Sequence, residues 1–148
     1  MPKKILQQEE KVLRQVAEEV PLTQMGQAKI NKVLKEMSDS LKSQHDGVAI
    51  AAPQIGYAMR IFMVSGKVLS ETFTDDRKER IEKKHGEDVY IPDAPEKEEI
   101  SSSKDLVFIN PKISKLSQEK EWMPEGCLSV RPLYGKTFRS TKATVTAY

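Results

Sequence analysis

Asp46-Gly-Val-Ala-Ile-Ala-Ala-Pro-Gln-Ile-Gly56 is the stretch on which the reading of this chain turns. Gly47, Ala49, Ala51 and Ala52 are small, Pro53 fixes the backbone, and Gln54 is the one uncharged polar side chain among apolar neighbours. Small residues let a backbone approach another group closely, and a carboxamide offers both a donor and an acceptor in a defined direction. Taken alone, the segment also reads as a tight β-corner in which Gln54 caps a neighbouring backbone group. Both readings stay open at this point.

Upstream, Ile30, Val33, Leu34, Met37 and Leu41 recur at helical spacing, which predicts an amphipathic helix over about 27–44. Before it, Val12, Leu13, Val16 and Val20 in QQEEKVLRQVAEEV predict another, ended by Pro21. Downstream the texture changes. The runs 58–64 and 105–110 read as buried strands, the second closed by Pro111, and the β-branched stretch 142–148 reads as a third. Helices followed by strands, without βαβ alternation, predict an α+β domain with a mainly antiparallel sheet. Between the first two strands lies a charged excursion at about 67–104. It is read as a solvated helix or mobile loop, because mixed charge with few apolar residues buries too little surface to offset ordering entropy. One domain spanning 1–148, with this insertion, is expected.

Composition narrows the function classes. In 148 residues, 24 Lys+Arg oppose 22 Asp+Glu for a net charge of +2, which argues against a chain that coats nucleic acid, and no sequence-specific nucleic-acid partner is expected. Mean hydropathy is −0.55 and no apolar run approaches the ~20 residues a spanning helix needs, so no membrane association is expected. The start MPKKILQQEEK lacks the apolar core of a secretory signal. A single cysteine forms no intramolecular disulfide, and a cytoplasmic location is expected.

That cysteine sits in Pro124-Glu-Gly-Cys-Leu-Ser-Val130. Buried free cysteines are commonly inert small hydrophobes, but Glu125, Gly126 and Ser129 make a poor core environment. Cys127 is therefore a candidate nucleophile or metal ligand.

Together the two segments resemble peptide deformylase. The family's GxGxAAPQ motif is matched by Gly47-Val-Ala-Ile-Ala-Ala-Pro-Gln54, and its EGCLS motif is intact at Glu125–Ser129. The opening Ile5-Leu-Gln…Val12-Leu-Arg and the strand Leu106-Val-Phe-Ile-Asn-Pro111 are similar to the family's flanking segments. The resemblance implies a deformylase-like α+β fold and hydrolytic removal of the formyl group from formyl-methionine on nascent polypeptides, with the ribosome as a further candidate partner. It implies a divalent metal, Fe2+ by preference with Zn2+ or Ni2+ in its place, held by Cys127 and two histidines of an HExxH helix. By motif match, the Gln54 amide and the Leu128 N–H would stabilise the oxyanion. Val48, Ile50 and Met123 would receive the methionine side chain. Gly47 and Ala49 would lie along the substrate path, Gly126 would let the backbone turn around the metal, and Glu125 would orient neighbouring groups.

Two departures stand out. Ala49 replaces the family's second glycine and adds a methyl near the substrate path. The HExxH motif is absent: neither His45 nor His85 has a histidine four residues on, and both read as surface residues. The chain is accordingly expected to be C-terminally truncated relative to the family, to lack the metal-binding helix, and to be inactive alone. Two alternatives stand beside this reading. One is a degenerate deformylase-like module that binds nascent chains or the ribosome without chemistry. The other is an unrelated cysteine-nucleophile enzyme, disfavoured because no histidine follows Cys127.

Overall fold

The computed structural model describes residues 1–70 and 104–148. Most of the charged excursion therefore lies outside the described residues. Helix α1 spans Ala28–Lys42 and is the one α-helix among the described residues. Its apolar stripe is the predicted one: Ile30, Val33, Met37 and Leu41 are buried, with Leu34 packed alongside.

A three-stranded antiparallel sheet takes the order β1 (Ala49–Ala51), β2 (Ile61–Val64), β3 (Leu106–Ile109). The register sets Ile50 opposite Met63 and Ile61 opposite Ile109. Side chains alternate across a strand, so these four share one face, and they join the α1 stripe in a single buried cluster. Phe62 and Phe108 lie opposite each other and stack at 4.5 Å between ring centroids. Two antiparallel pairs complete the described structure: β4 (Lys112–Leu116) with β7 (Ala143–Thr146), and β5 (Lys120–Gly126) with β6 (Tyr134–Ser140). All three predicted strands are present, and the α+β class holds.

The first predicted helix does not form. Within that stretch only Lys11–Arg14 makes a 3-10 turn, Val16 is 85% exposed, and Glu18 forms an isolated parallel bridge with Met59. Its backbone is claimed elsewhere. The Glu18 N–H donates to the Ala58 carbonyl at 2.8 Å, and the Glu18 carbonyl accepts from the Arg60 N–H at 2.8 Å. Asn110 clamps Val20 from both sides, its Oδ1 accepting from the Val20 N–H and its Nδ2 donating to the Val20 carbonyl, both at 2.8 Å. A helix of this length is marginal in isolation, so tertiary pairing decides the outcome. The expected pair of N-terminal helices is thereby corrected to one helix and an extended strap.

Candidate functional site

Three pieces of chain form the site. After β1, Ala52–Ile55 makes a 3-10 turn that ends at Gly56, where φ of +92° suits glycine. That turn fixes Gln54. The Gln54 carboxamide oxygen accepts from the Ala51 N–H at 2.8 Å, so the side chain does cap a neighbouring backbone group. Its nitrogen is then directed away, donating to Ser129 Oγ at 3.0 Å and standing 3.9 Å from Cys127 Sγ. The β-corner and the directed carboxamide are thus one arrangement, the oxygen serving the turn and the nitrogen facing the cysteine loop.

The second piece is the end of β5 and the loop Cys127–Val130. Cys127 is exposed, while Leu128 and Ser129 are buried beneath it. A Cβ on Gly126 would fall 2.4 Å from the Tyr134 ring, a separation that real Cβ atoms do not show. Gly126 lies within β5, paired with Tyr134, and its φ is not in the left-handed region. Its lack of a side chain is explained by the aromatic ring across the hairpin. Gly126→Ala is expected to destabilise the fold by about 1–3 kcal/mol, the usual scale of overpacking. Urea unfolding of Gly126→Ala with and without Tyr134→Ala checks this: the double variant should recover much of the loss, whereas simple additivity would contradict the clash.

The third piece is the N-terminal strap. The Leu6 N–H donates to the Gln54 carbonyl at 2.8 Å, and Gln7 Nε2 donates to the Leu128 carbonyl at 3.2 Å.

The first motif is also tied to the residues after the second. Asp46 accepts from Arg131 and, at 2.8 Å, from the Tyr134 hydroxyl. Partial burial would raise the Asp46 carboxyl, but these two hydrogen bonds and the Arg131 charge outweigh it and hold the carboxyl below its usual range. A carboxylate with a depressed folded pKa stabilises the fold above its unfolded pKa of ~3.9, and that contribution is lost as pH falls through the folded value. Asp46→Asn is therefore expected to cost about 1 kcal/mol at pH 7, with the difference from wild type shrinking below about pH 4. Denaturant midpoints across pH check it; a difference that grew on acidification would contradict the assignment.

A match to the polypeptide deformylase family model covers residues 2–148. The chain belongs to the polypeptide deformylase family. Peptide deformylase 2 of Clostridium acetobutylicum is 31% identical over 119 residues, covering 80% of this chain and 55% of that protein. Peptide deformylase of Leptospira biflexa is 29% identical, covering 95% of this chain and 64% of that one. Among solved structures, peptide deformylase from Ehrlichia chaffeensis superposes with a TM-score of 0.69 at 26% identity, covering 99% of this chain and 68% of that chain. A class I type b peptide deformylase from Acinetobacter baumannii gives a TM-score of 0.70 at 22% identity, covering 99% and 76%, and so shares the fold. The chain spans about half the length of several curated relatives it matches.

Of the residues expected at a deformylase site, the structure brings Gln54, Cys127 and Leu128 together. Gly47 is buried against α1, where a Cβ would meet Leu41 and Gln44 at 3.0 Å. Ala49 is exposed on β1, and Val48 is half-buried. Ile50 is 1% exposed, and its side chain sits in the core cluster. Met123 is exposed on β5 opposite Thr137. Glu125 engages the Arg139 guanidinium on β6, with Oε2 accepting at 3.0 Å.

Among the described residues, no group of three or more His, Cys, Asp or Glu side chains could hold a metal ion. A hydrolytic metal centre takes three protein ligands and leaves a position open. Cys127 supplies one sulfur donor, and His45 is exposed in the turn after α1. The described residues alone do not fit a metal centre.

Sequence reasoning missed Gln7, Ser129, Asp46, Arg131 and Tyr134. Ser129 carried a signal, being a small polar residue inside the motif; Gln7 carried a weaker one, as an uncharged polar residue beside two apolar ones. Arg131 and Tyr134 carried none.

Proposed function

We propose that this chain forms the substrate-facing and oxyanion-stabilising part of a peptide deformylase, the hydrolase that removes the formyl group from the N-terminal formyl-methionine of nascent polypeptides. The observation that carries the reading is the convergence of Gln54 and Cys127, 73 positions apart in sequence, to 3.9 Å. The Gln54 carboxamide nitrogen and the Leu128 N–H are the donors for the formyl oxygen as negative charge develops on it. Such donors act best when fixed beforehand, since no reorganisation is then needed during reaction. Both motifs here are fixed in that sense. Gln54 is anchored through Ala51 and Ser129, and Leu128 through Gln7. Exposed Met123 and half-buried Val48 are the candidates to contact the methionine side chain, and Ala49 and Gly126 flank the peptide.

The family chemistry uses a divalent metal, Fe2+ or Zn2+ or Ni2+ in its place, and Cys127 is the one ligand assigned to it. With a single such donor and no HExxH histidines or glutamate in its sequence, the 148-residue polypeptide on its own is expected not to turn over. A cytoplasmic place of action on nascent chains, beside the ribosome, belongs to this reading. The test incubates the purified chain with Ni2+ or Fe2+ and a formyl-Met peptide, and follows formate release and bound metal. Weak metal capture, abolished by Cys127→Ala, with no formate release is expected. Tight stoichiometric metal with repeated turnover would contradict the reading of this chain as a part of the centre.

A further inference from the structure

We propose that Gln7 is a positioning residue that sets the relative orientation of the two oxyanion donors; the inference rests on the role given above to Gln54 and Leu128. Ile5 is buried in the core and pins the strap. The next two residues each grip one motif. The Leu6 N–H donates to the Gln54 carbonyl at 2.8 Å, and the Gln7 carboxamide donates to the Leu128 carbonyl at 3.2 Å and to the Ile5 carbonyl at 3.4 Å. The Leu128 carbonyl belongs to the peptide that joins Leu128 to Ser129, and Ser129 Oγ in turn accepts from Gln54 Nε2 at 3.0 Å. A closed circuit results: Gln54 backbone, Leu6, Gln7, Leu128, Ser129, Gln54 side chain. The Gln7 side chain donates to the Leu128 and Ile5 carbonyls, so it reaches Gln54 and the space beside Cys127 through Leu128 and Ser129.

The circuit matters because the two donors come from segments more than seventy positions apart, and neither β1 nor β5 pairs with the other. The strap relates them from one side, beside the direct Gln54–Ser129 hydrogen bond and the Asp46 contacts to Arg131 and Tyr134. Losing the Gln7 amide frees the peptide that joins Leu128 to Ser129, which moves the Leu128 Cα that carries the neighbouring N–H and the Ser129 hydroxyl that holds the Gln54 carboxamide. Displacements on the scale of 1 Å at a donor are enough to lower a rate about 10²-fold.

The experiment uses 15N NMR on the 148-residue chain, without ligand. In Gln7→Met, which keeps the length and loses the donor, the Gln54 side-chain amide and the Leu128 and Ser129 backbone amides are expected to shift. Their hydrogen exchange should quicken about 10-fold while the α1 amides and the Tm stay unchanged. A merely structural loss would instead lower the Tm and quicken α1 as well. Gln7→Lys, which restores a donor to the carbonyl, is expected to return the three signals toward wild type. Unmoved Gln54 signals in Gln7→Met would overturn the proposal, as would Gln7→Met and Gln7→Lys behaving alike. Should Gln7→Met fail to fold, Gln7→Lys decides: wild-type Gln54 signals support the circuit and shifted ones overturn it. Adding formyl-Met-Ala-Ser to the wild type separates the two readings. No response there would contradict the functional assignment while leaving the circuit in place.

Discussion

Gln54→Ala is expected to lower kcat by about 10²–10³-fold, a loss of about 2.7–4 kcal/mol of transition-state stabilisation, in a polypeptide that joins this chain to a segment bearing HExxH. The size follows from the role. An oxyanion donor contributes most where charge appears in the transition state and little to the ground state, so kcat should fall far more than KM rises. Gln54 also holds the Ala51 N–H and Ser129 Oγ, and its removal leaves both without that partner. The joined protein should therefore be checked for retained metal and an unchanged fold by metal analysis and circular dichroism. A loss of activity matched by loss of metal would assign Gln54 to structure, and unchanged kcat would remove it from the mechanism.

Met37→Ala is expected to cost about 2–5 kcal/mol of folding stability. Met37 is fully buried at the centre of the α1 stripe, in the cluster that includes Ile50, Ala52, Ile55 and Met63. The truncation removes three heavy atoms from a close-packed site and leaves a cavity that the surrounding helix and strands can only partly fill. Set against a typical total of 5–15 kcal/mol, such a loss would leave much of the population unfolded at modest urea. The same cluster carries Ala52 and Ile55, which bracket Gln54, so the variant should also loosen the turn that aims the carboxamide. Urea midpoints measure the first effect. A change below about 1 kcal/mol would show that α1 is not packed as described.

Much of this was legible in the sequence, for reasons that differ by element. The α1 stripe was readable because five apolar residues at helical spacing leave one face to bury, and a helix meets that demand locally. Strands β2 and β3 were readable from short apolar runs bounded by turn residues. The stretch 7–20 misled because its spacing satisfied the same helical test, while the decisive partners, Ala58, Arg60 and Asn110, lie 40 to 90 positions away. Strands β4, β5 and β6 were missed because they are largely exposed and polar, with little period-two contrast. At the site, Gln54 and Cys127 stood out in the sequence as chemically distinctive residues in short stretches, whereas Leu128 was reached only through the resemblance of its EGCLS motif. Gln7, Asp46 and Tyr134 act through long-range hydrogen bonds and, for Tyr134, a ring contact across the hairpin, which leave no local pattern. Gly126 shows the difference most plainly: its identity was visible, but its reason, the Tyr134 ring, was not.

The central claim is that Gln54 and the Leu128 N–H together receive a formyl oxygen. It is tested most directly by titrating the 15N-labelled chain with formyl-Met-Ala-Ser and, separately, with unformylated Met-Ala-Ser. The account predicts that the formylated peptide shifts the Gln54 side-chain amide and the Leu128 backbone amide, and that the unformylated peptide moves neither. Equal shifts with both peptides, or none with the formylated one, would contradict it.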